Sequence, residues 1–295
     1  MAQAQLALDA KDLILLNGAI ALMMFGASMQ IRFADFRRLI SNPQAPMIGL
    51  FAQFVLLPGA TTLLVCGAAI PAEVGLGMIL VSCCPGGTFS NIMTWLGRGD
   101  LPTSITMTAV SSTAAIVLTP LNFAFYGSLN PHTRALLEEV HIAPLEVLAL
   151  IAVVLGLPLL LGMLFARRWP QWAKAADRPM RALSLLIFFT LVALAFQRNL
   201  GLLREALSLV IPLVIVHNSL ALILGAAAAK LAGLSRPQGR AVTMEVGIQN
   251  SALGLSLLLT FFPHANGMLL IAACWGIWHL ISGLSLAGYW ARSAP

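Results

Sequence analysis

An acidic residue lies deep within an apolar stretch of this sequence. Glu245 opens the segment 245–251, EVGIQNS, which is followed by an apolar run. A carboxylate at the centre of a bilayer costs at least about 2.5–3.5 kcal/mol on insertion scales, so another group must offset its charge. Two interpretations are open. Glu245 is either a structural carboxylate, protonated or paired with a neighbour such as Arg240, or a ligand for a cation.

Neutral oxygen-bearing side chains that could complete a cation site occur in several other segments. Hard cations take several oxygen ligands each, so a single carboxylate needs such partners. Ser104 and Thr108 are four residues apart and share one face of a predicted helix. The side chains that could supply oxygen ligands are those of Gln53, Ser90, Asn91, Ser104, Thr108 and Gln249.

A second unusual segment, 83–91, reads CCPGGTFSN. Pro85 removes a backbone donor and two glycines follow it, so a helix is predicted to break here. A packing kink between closely approaching helices is the alternative. Irregular backbone at membrane depth is tolerated only where protein covers it or where it lines a cavity.

The composition indicates that lipid surrounds these segments. Of 295 residues, 59% are hydrophobic and 9% are charged, whereas soluble domains carry roughly 25% charged residues. The net charge of +6 does not indicate a nucleic-acid partner, because the basic residues sit in short breaks between apolar runs. No hydrolase triad signature or HExxH motif supports an enzyme, and the four cysteines lack metal-ligand spacing.

Hydropathy predicts nine membrane spans, each near the roughly 20 residues that a bilayer requires. Alternating sides then put 13 basic residues on one face and 4 on the other, which accounts for all 17. Because basic loops stay in the cytoplasm, the N-terminus is predicted outside and the C-terminus inside. The predicted spans are 13–30, 45–69, 74–96, 102–126, 144–166, 182–197, 206–229, 241–262 and 267–290.

The two interrupted spans occupy corresponding places in the two halves of the chain. The third and the eighth span are each the penultimate span of their half, and they lie five spans apart, so they run in opposite directions. The preceding span carries an amide in each half, Gln53 and Asn218. This arrangement predicts an inverted-topology repeat with two discontinuous helices that cross near the midplane.

Several motifs resemble signature segments of the bile acid:sodium symporter family, in that family's order along the chain. They are residues 52–54 with Leu57-Pro58, and the segments 85–91, 216–218, 245–251 and 278–283. The resemblance implies an all-α polytopic membrane protein of about nine helices, with a panel and a core domain. It also implies one transporter domain over 1–295, with a first repeat over 1–126 that lacks one helix and a second over 144–290.

The resemblance further implies two sodium sites behind the crossing and a substrate cavity in front of it. The first sodium site would use the side chains of Ser90, Asn91, Ser104, Thr108 and Glu245. The second would use Gln53, Glu245 and Gln249 with the backbone oxygens of Val246 and Ile248. Thr88, Asn250 and His279 match cavity positions of bacterial relatives, although His279 and the pair His217-Asn218 have structural roles as the alternative. Phe89 and Leu280 depart from common residues there.

The expected function is that of a sodium-coupled symporter in the bacterial inner membrane. It would import a bile-acid-like or small carboxylate anion by alternating access, with no nucleic acid and no obligatory protein partner. Proton coupling through Glu245 is the main alternative, and an intramembrane enzyme or a sensor is the alternative from another class.

Overall fold

The computed structural model describes residues 10–68, 70–139, 152–198, 203–262 and 264–292. Within these ranges every regular element is a helix, apart from one isolated β-bridge. The first half contains α1 (Ala10–Ser28), α2 (Phe33–Ser41), α3 (Gln44–Phe51), α4 (Leu57–Gly67), α5 (Ala72–Ser82), α6 (Thr88–Leu96), α7 (Leu101–Ser128) and α8 (Pro131–Glu139). The second contains α9 (Leu157–Arg168), α10 (Pro170–Arg198), α11 (Leu203–Leu231), α12 (Arg236–Gly247), α13 (Ser251–Phe261) and α14 (Asn266–Arg292). The all-helical class predicted from the sequence is confirmed.

Four helices in the described part of the chain are long and apolar enough to cross a membrane. They are Gln44–Gly67, Leu101–Ser128, Ser208–Leu231 and Asn266–Arg292. Shorter apolar helices cover Asn17–Ser28, Ala72–Ser82 and Ser251–Phe261. The protein is therefore a multi-pass membrane protein, while the count of nine spans stays a prediction. The start of the predicted span 144–166 falls among residues 140–151, which lie outside the described residues.

Both predicted interruptions are present. The third predicted span, 74–96, is divided between the end of α5 at Ser82 and the start of α6 at Thr88. The eighth, 241–262, is divided between the end of α12 at Gly247 and the start of α13 at Ser251. We call residues 83–87 the first break and residues 248–250 the second break. Proline and two glycines account for the first break.

The sixth predicted span, 182–197, lies within a longer helix. The helix over this region, α10, begins at Pro170 and ends at Arg198. Proline is favoured at the first helical position, since its missing N–H has no partner there in any helix. The predicted span started only after the charged residues of 174–181, which are nevertheless helical. For the same reason, α2 and α8 were not predicted.

A π-helical turn, Ala52–Leu56, joins α3 to α4. Pro58 follows it and has no N–H to donate to the carbonyl group of Phe54 four residues earlier. That carbonyl instead accepts a hydrogen bond from the Asn122 side chain on α7, at 2.7 Å. A second π turn, Ala152–Gly156, likewise precedes a Leu-Pro pair. The first of these turns matters most here, because it carries Gln53.

The apolar core lies behind the breaks, where α5 packs against α14. Leu76, Met78 and Ile79 of α5 and Trp275 of α14 are fully buried. The side chain of Thr119 on α7 donates a 2.8 Å hydrogen bond to the carbonyl group of Cys83, at the end of α5. The end of α5 next to the first break is thus held by a side chain of α7.

Candidate ion and substrate site

The two breaks lie against each other. Gly86 and Gln249 form an antiparallel β-bridge. The Gly87 N–H donates to the Ile248 carbonyl and the Asn250 N–H donates to the Pro85 carbonyl, both at 2.8 Å. Each break therefore supplies hydrogen bonds that the other needs, which is how unwound backbone is satisfied at membrane depth.

Glu245 lies in the last turn of α12, completely buried beside the first break. Within the described part of the chain, its carboxylate accepts hydrogen bonds from hydroxyl groups only. The donors are Ser90 Oγ at 2.5 Å, Thr108 Oγ1 at 2.9 and 3.0 Å, and Ser111 Oγ at 3.4 Å. The sequence had left open whether another charged group offsets this one.

Arg240 does not offset the charge of Glu245. Its guanidinium group donates to the carbonyl of Gly97 at 2.9 Å and lies over the ring of Trp290, 5.5 Å from the centroid. The pairing of Glu245 with Arg240, one alternative drawn from the sequence, is therefore wrong.

The cluster of oxygen atoms extends from Glu245 to Asn91. Asn91 Oδ1 accepts hydrogen bonds from Ser104 Oγ at 2.8 Å and from Thr108 Oγ1 at 3.3 Å. Ser90 and Asn91 come from α6, Ser104 and Thr108 from α7, and Glu245 from α12. The structure thus brings together all five residues of the predicted first sodium site.

A side chain at position 86 would require the Glu245 carboxylate to move. A Cβ atom added there would overlap the carboxylate of Glu245. Because Gly86 has no side chain, the first break leaves room for the Glu245 carboxylate.

Three residues of the predicted second sodium site, Gln53, Gln249 and Val246, are joined by hydrogen bonds. Gln53 Nε2 donates to the Cys84 carbonyl at 2.7 Å and to Gln249 Oε1 at 2.6 Å. Gln249 Nε2 in turn donates to the Val246 carbonyl at 2.8 Å. Gln53 Oε1 is buried and has no hydrogen-bond partner among the described residues.

The oxygen atoms of these two groups of residues are suited as ligands for a hard monovalent cation. They comprise one carboxylate, hydroxyl and amide oxygens, and backbone carbonyls with a second lone pair. Gln53 Oε1 provides an oxygen ligand that no hydrogen bond from the described residues uses. Within the described residues, no group of three or more His, Cys, Asp or Glu side chains offers the nitrogen and sulfur ligands that zinc prefers.

A cleft lies beside the two breaks and is lined by residues of both, among them Gly87 and Gln249. The predicted cavity residues Thr88, Asn250 and His279 all line it. Asn250 has a second task, since its Oδ1 caps α13 by accepting from the Leu253 N–H at 3.1 Å. His279 Nδ1 lies 3.1 Å from Ser251 Oγ.

Sequence reasoning missed several polar residues of the site. Ser111 contacts Glu245, and Thr94 Oγ1 donates to Ser104 Oγ at 3.2 Å. Helical spacing carried this signal, because Ser111 follows Ser104 by seven residues and lies on the same face. Gln30 and Ser184 also line the cleft, and no motif in the sequence marked them.

His217 has a structural environment. Its Nε2 lies 2.8 Å from Thr61 Oγ1, and its ring packs against Trp275 with 4.4 Å between the centroids. It does not line the cleft. Its neighbour Asn218 reaches the end of α12 instead, where Nδ2 donates to the Gly247 carbonyl at 2.8 Å.

The sequence model of the Sodium Bile acid symporter family matches residues 18–206. The chain belongs to this family. It is 30% identical over 273 residues to the "Uncharacterized sodium-dependent transporter YocS" of Bacillus subtilis, covering 92% of this chain and 82% of that protein. It is 28% identical to the "Probable sodium/metabolite cotransporter BASS1, chloroplastic" of Arabidopsis thaliana, covering 94% and 66% of the two chains. It is also 28% identical to the mouse "Sodium/bile acid cotransporter 5", covering 89% and 59%.

Membership in this family decides between the classes of protein that the sequence had left open. The family consists of transporters, so the enzyme and sensor interpretations are set aside. The chain spans most of the bacterial relative but slightly less than two thirds of the plant protein and less again of the mouse protein.

Proposed function

We propose that this protein is a sodium-coupled symporter that imports an organic anion by alternating access. One observation carries the proposal: the fully buried Glu245 carboxylate meets only hydroxyl groups in the described part of the chain. Hydroxyl groups stabilise a carboxylate but leave its charge uncompensated, and an uncompensated charge at this depth is costly. A bound cation supplies that compensation.

The first sodium ion would lie among Ser90, Asn91, Ser104, Thr108 and Glu245. Three of these residues now donate hydroxyl hydrogens to the oxygens of Asn91 and Glu245. Each hydroxyl group also carries two lone pairs, so rotating it away from its acceptor presents oxygen to a cation. The same hydroxyl groups can therefore donate to the carboxylate or offer an oxygen atom to the ion.

The second sodium ion would use Gln53, Glu245 and Gln249 with the carbonyl oxygens of Val246 and Ile248. The free Gln53 Oε1 supports this assignment. Both carbonyls accept one hydrogen bond each, from Gln249 Nε2 and from the Gly87 N–H, and so keep a lone pair. Two ions, rather than one, are part of the proposal.

The anion would bind in the cleft at Thr88, Asn250 and His279. Among the described residues that line the cleft there is no lysine or arginine. Positive potential must therefore come from the bound ions and from the starts of α6 and α13, where backbone N–H groups lack intrahelical partners. The relatives' names include sodium/metabolite and sodium/bile acid cotransporters, which supports a bile-acid-like or small carboxylate substrate.

The architecture proposed with this function is the inverted repeat of 1–126 and 144–290 within a single domain, divided into panel and core. Nine spans in the bacterial inner membrane are part of the proposal, and the 13-to-4 split of basic residues supports an outside N-terminus and a cytoplasmic C-terminus. No protein partner is required. A reporter fused after Pro295 tests the topology, which would be wrong if the reporter were active only outside the cytoplasm.

Uptake into proteoliposomes tests the coupling. Organic acids are first screened by thermal stabilisation of the purified protein in sodium or potassium chloride, and the best one is then offered under separate sodium and pH gradients. We expect sodium-driven uptake, and an affinity for the anion that sodium raises by roughly 5- to 150-fold, as reciprocal coupling of about 1–3 kcal/mol gives. Uptake that follows the proton gradient without sodium would support the proton-coupled alternative.

A further inference from the structure

Three consecutive carbonyl groups at the end of α12 each accept a hydrogen bond from a different donor. The last carbonyls of a helix have no intrahelical partner, so their directions depend on outside groups. The Val246 carbonyl accepts from Gln249 Nε2, the Gly247 carbonyl from Asn218 Nδ2, and the Ile248 carbonyl from the Gly87 N–H, each at 2.8 Å. The first and third of these carbonyls are proposed sodium ligands. The middle one is fixed by Asn218.

Asn218 is itself held in one orientation. Its side chain is almost fully buried on α11, and Ser282 Oγ on α14 donates to its Oδ1 at 2.5 Å. A hydroxyl donor on Oδ1 leaves the NH₂ group for the Gly247 carbonyl, and a flipped amide would put two oxygens face to face. Both ends of the amide are therefore engaged. Gln53, in contrast, keeps a free oxygen.

The same helix also contacts the far side of the second break. His279 precedes Ser282 by one turn of α14, and its Nδ1 lies 3.1 Å from the Oγ of Ser251, the first residue of α13. α14 is thus hydrogen-bonded to α13 directly, through His279, and to the end of α12 through Asn218. The unwound residues 248–250 lie between these two attachments.

We propose that Asn218 and Ser282 are positioning residues for sodium, although neither touches the ion. They fix the peptide group between Gly247 and Ile248, whose rotation would turn the flanking carbonyls of Val246 and Ile248 away from a common centre. This inference rests on the proposed function. It predicts that losing either side chain weakens sodium binding even though every direct ligand remains.

The experiment compares variants of the full-length protein by thermal unfolding. Sodium chloride is titrated against potassium chloride at constant ionic strength, and the sodium concentration for half of the stabilisation is recorded. We expect Asn218→Ala and Ser282→Ala to raise this concentration about tenfold, the scale of one lost buried hydrogen bond. Ser282→Thr, which retains the hydroxyl group, should stay within about twofold of wild type.

A matched control lies one turn further along α14. Ser285 is exposed and its hydroxyl donates to the Ile281 carbonyl of its own helix, so Ser285→Ala should leave the sodium midpoint unchanged. If Asn218→Ala does not fold, Ser282→Ala decides the question alone. Variants that unfold at a lower temperature in potassium but keep the wild-type sodium midpoint would show a merely structural role and overturn the inference. A wild-type protein without any sodium-specific stabilisation would instead overturn the proposed function, and this inference with it.

Discussion

The two breaks solve the same problem with different residues. In the first break, Thr119 and Gln53 donate to the carbonyls of Cys83 and Cys84. Just before the second break, Asn218 donates to the carbonyl of Gly247, the last residue of α12. Each half of the chain therefore uses an amide from the preceding helix to satisfy the end of its first half-helix.

The breaks differ in what they offer a ligand. The first has a glycine at position 86 where a side chain would collide with Glu245, so it provides space. The second is preceded by Glu245 and includes Gln249, so it provides charge and oxygen atoms. Their amides differ in the same way, since Gln53 has a free oxygen and that of Asn218 is occupied by Ser282. The two breaks therefore have different roles: the first leaves space for the carboxylate, and the second supplies the charge and oxygen atoms. Substitutions should separate these roles.

The largest effect is expected for Glu245→Gln, which removes the charge and keeps the shape. Sodium-driven uptake should fall roughly 100-fold, because a few kcal/mol of charge compensation for the ions are lost. Unfolding in potassium should occur at the same or a higher temperature, since an uncompensated buried charge is gone. Glu73→Gln is the control, because Glu73 lies in the first turn of α5, away from both breaks, and accepts from the Gly267 N–H. Unchanged sodium dependence in Glu245→Gln would end the ligand assignment.

Gly86→Ala should come next, because it fills the space that the first break provides. The added methyl group must displace the Glu245 carboxylate, so we expect uptake about tenfold below wild type and a loss of about 1–3 kcal/mol in the free energy of unfolding. Gly288→Ala is matched to it, since a Cβ there meets no atom within 4 Å. That control should be neutral or stabilising by up to about 1 kcal/mol. Equal behaviour of the two variants would contradict the role of the first break.

Gln53→Ala tests whether the amide of Gln53 binds an ion directly, whereas that of Asn218 only positions the backbone. Removing the unpartnered oxygen should eliminate one of two ions, so the sodium dependence of uptake should lose its sigmoidal shape, with a Hill coefficient falling from near two to about one. Asn218→Ala should shift the midpoint and keep the sigmoidal shape. Gln44→Ala, which removes an exposed amide bonded to the Ala232 carbonyl, is the control. A sigmoidal response that survives in Gln53→Ala would argue against a second ion at this residue.

The smallest effects are expected on the cleft side, where Thr88→Ala and Asn250→Ala each remove one polar contact. Both should weaken anion binding by about 2- to 12-fold, as one net hydrogen bond gives, and spare sodium binding measured without the anion. Asn250→Ala should also destabilise the protein by about 1 kcal/mol, because Asn250 caps α13. Thr88→Ala has no such cost, since no side chain caps α6. Calorimetry with each ligand at fixed levels of the other measures both quantities, and an equal loss of sodium affinity would contradict the division.

The sequence predicted the features that depend on local chemistry. Pro85 with its two glycines predicted the first break, and the polar segment after Glu245 predicted the second. It could not identify the side chain that donates to the Gly247 carbonyl or the partner of Arg240. Both depend on contacts between residues far apart in the chain. The early start of α10 was missed for another reason, since hydropathy reports the surrounding solvent and not the backbone hydrogen bonds. Whether the predicted ligands bind ions stays a prediction.

The bridge between the breaks also has a consequence for synthesis of the protein. Gly87 and Pro85 find their hydrogen-bond partners in Ile248 and Asn250, so the first break enters the membrane long before those partners exist. More than 160 residues separate Gly87 from Asn250, which is roughly 10 to 30 s of translation at about 5–20 residues per second. During that interval the N-terminal half must satisfy its unwound backbone with water or with a substitute partner. A ribosome-bound nascent chain that ends before Asn250 should therefore be the form most open to proteolysis or to capture by an insertion factor.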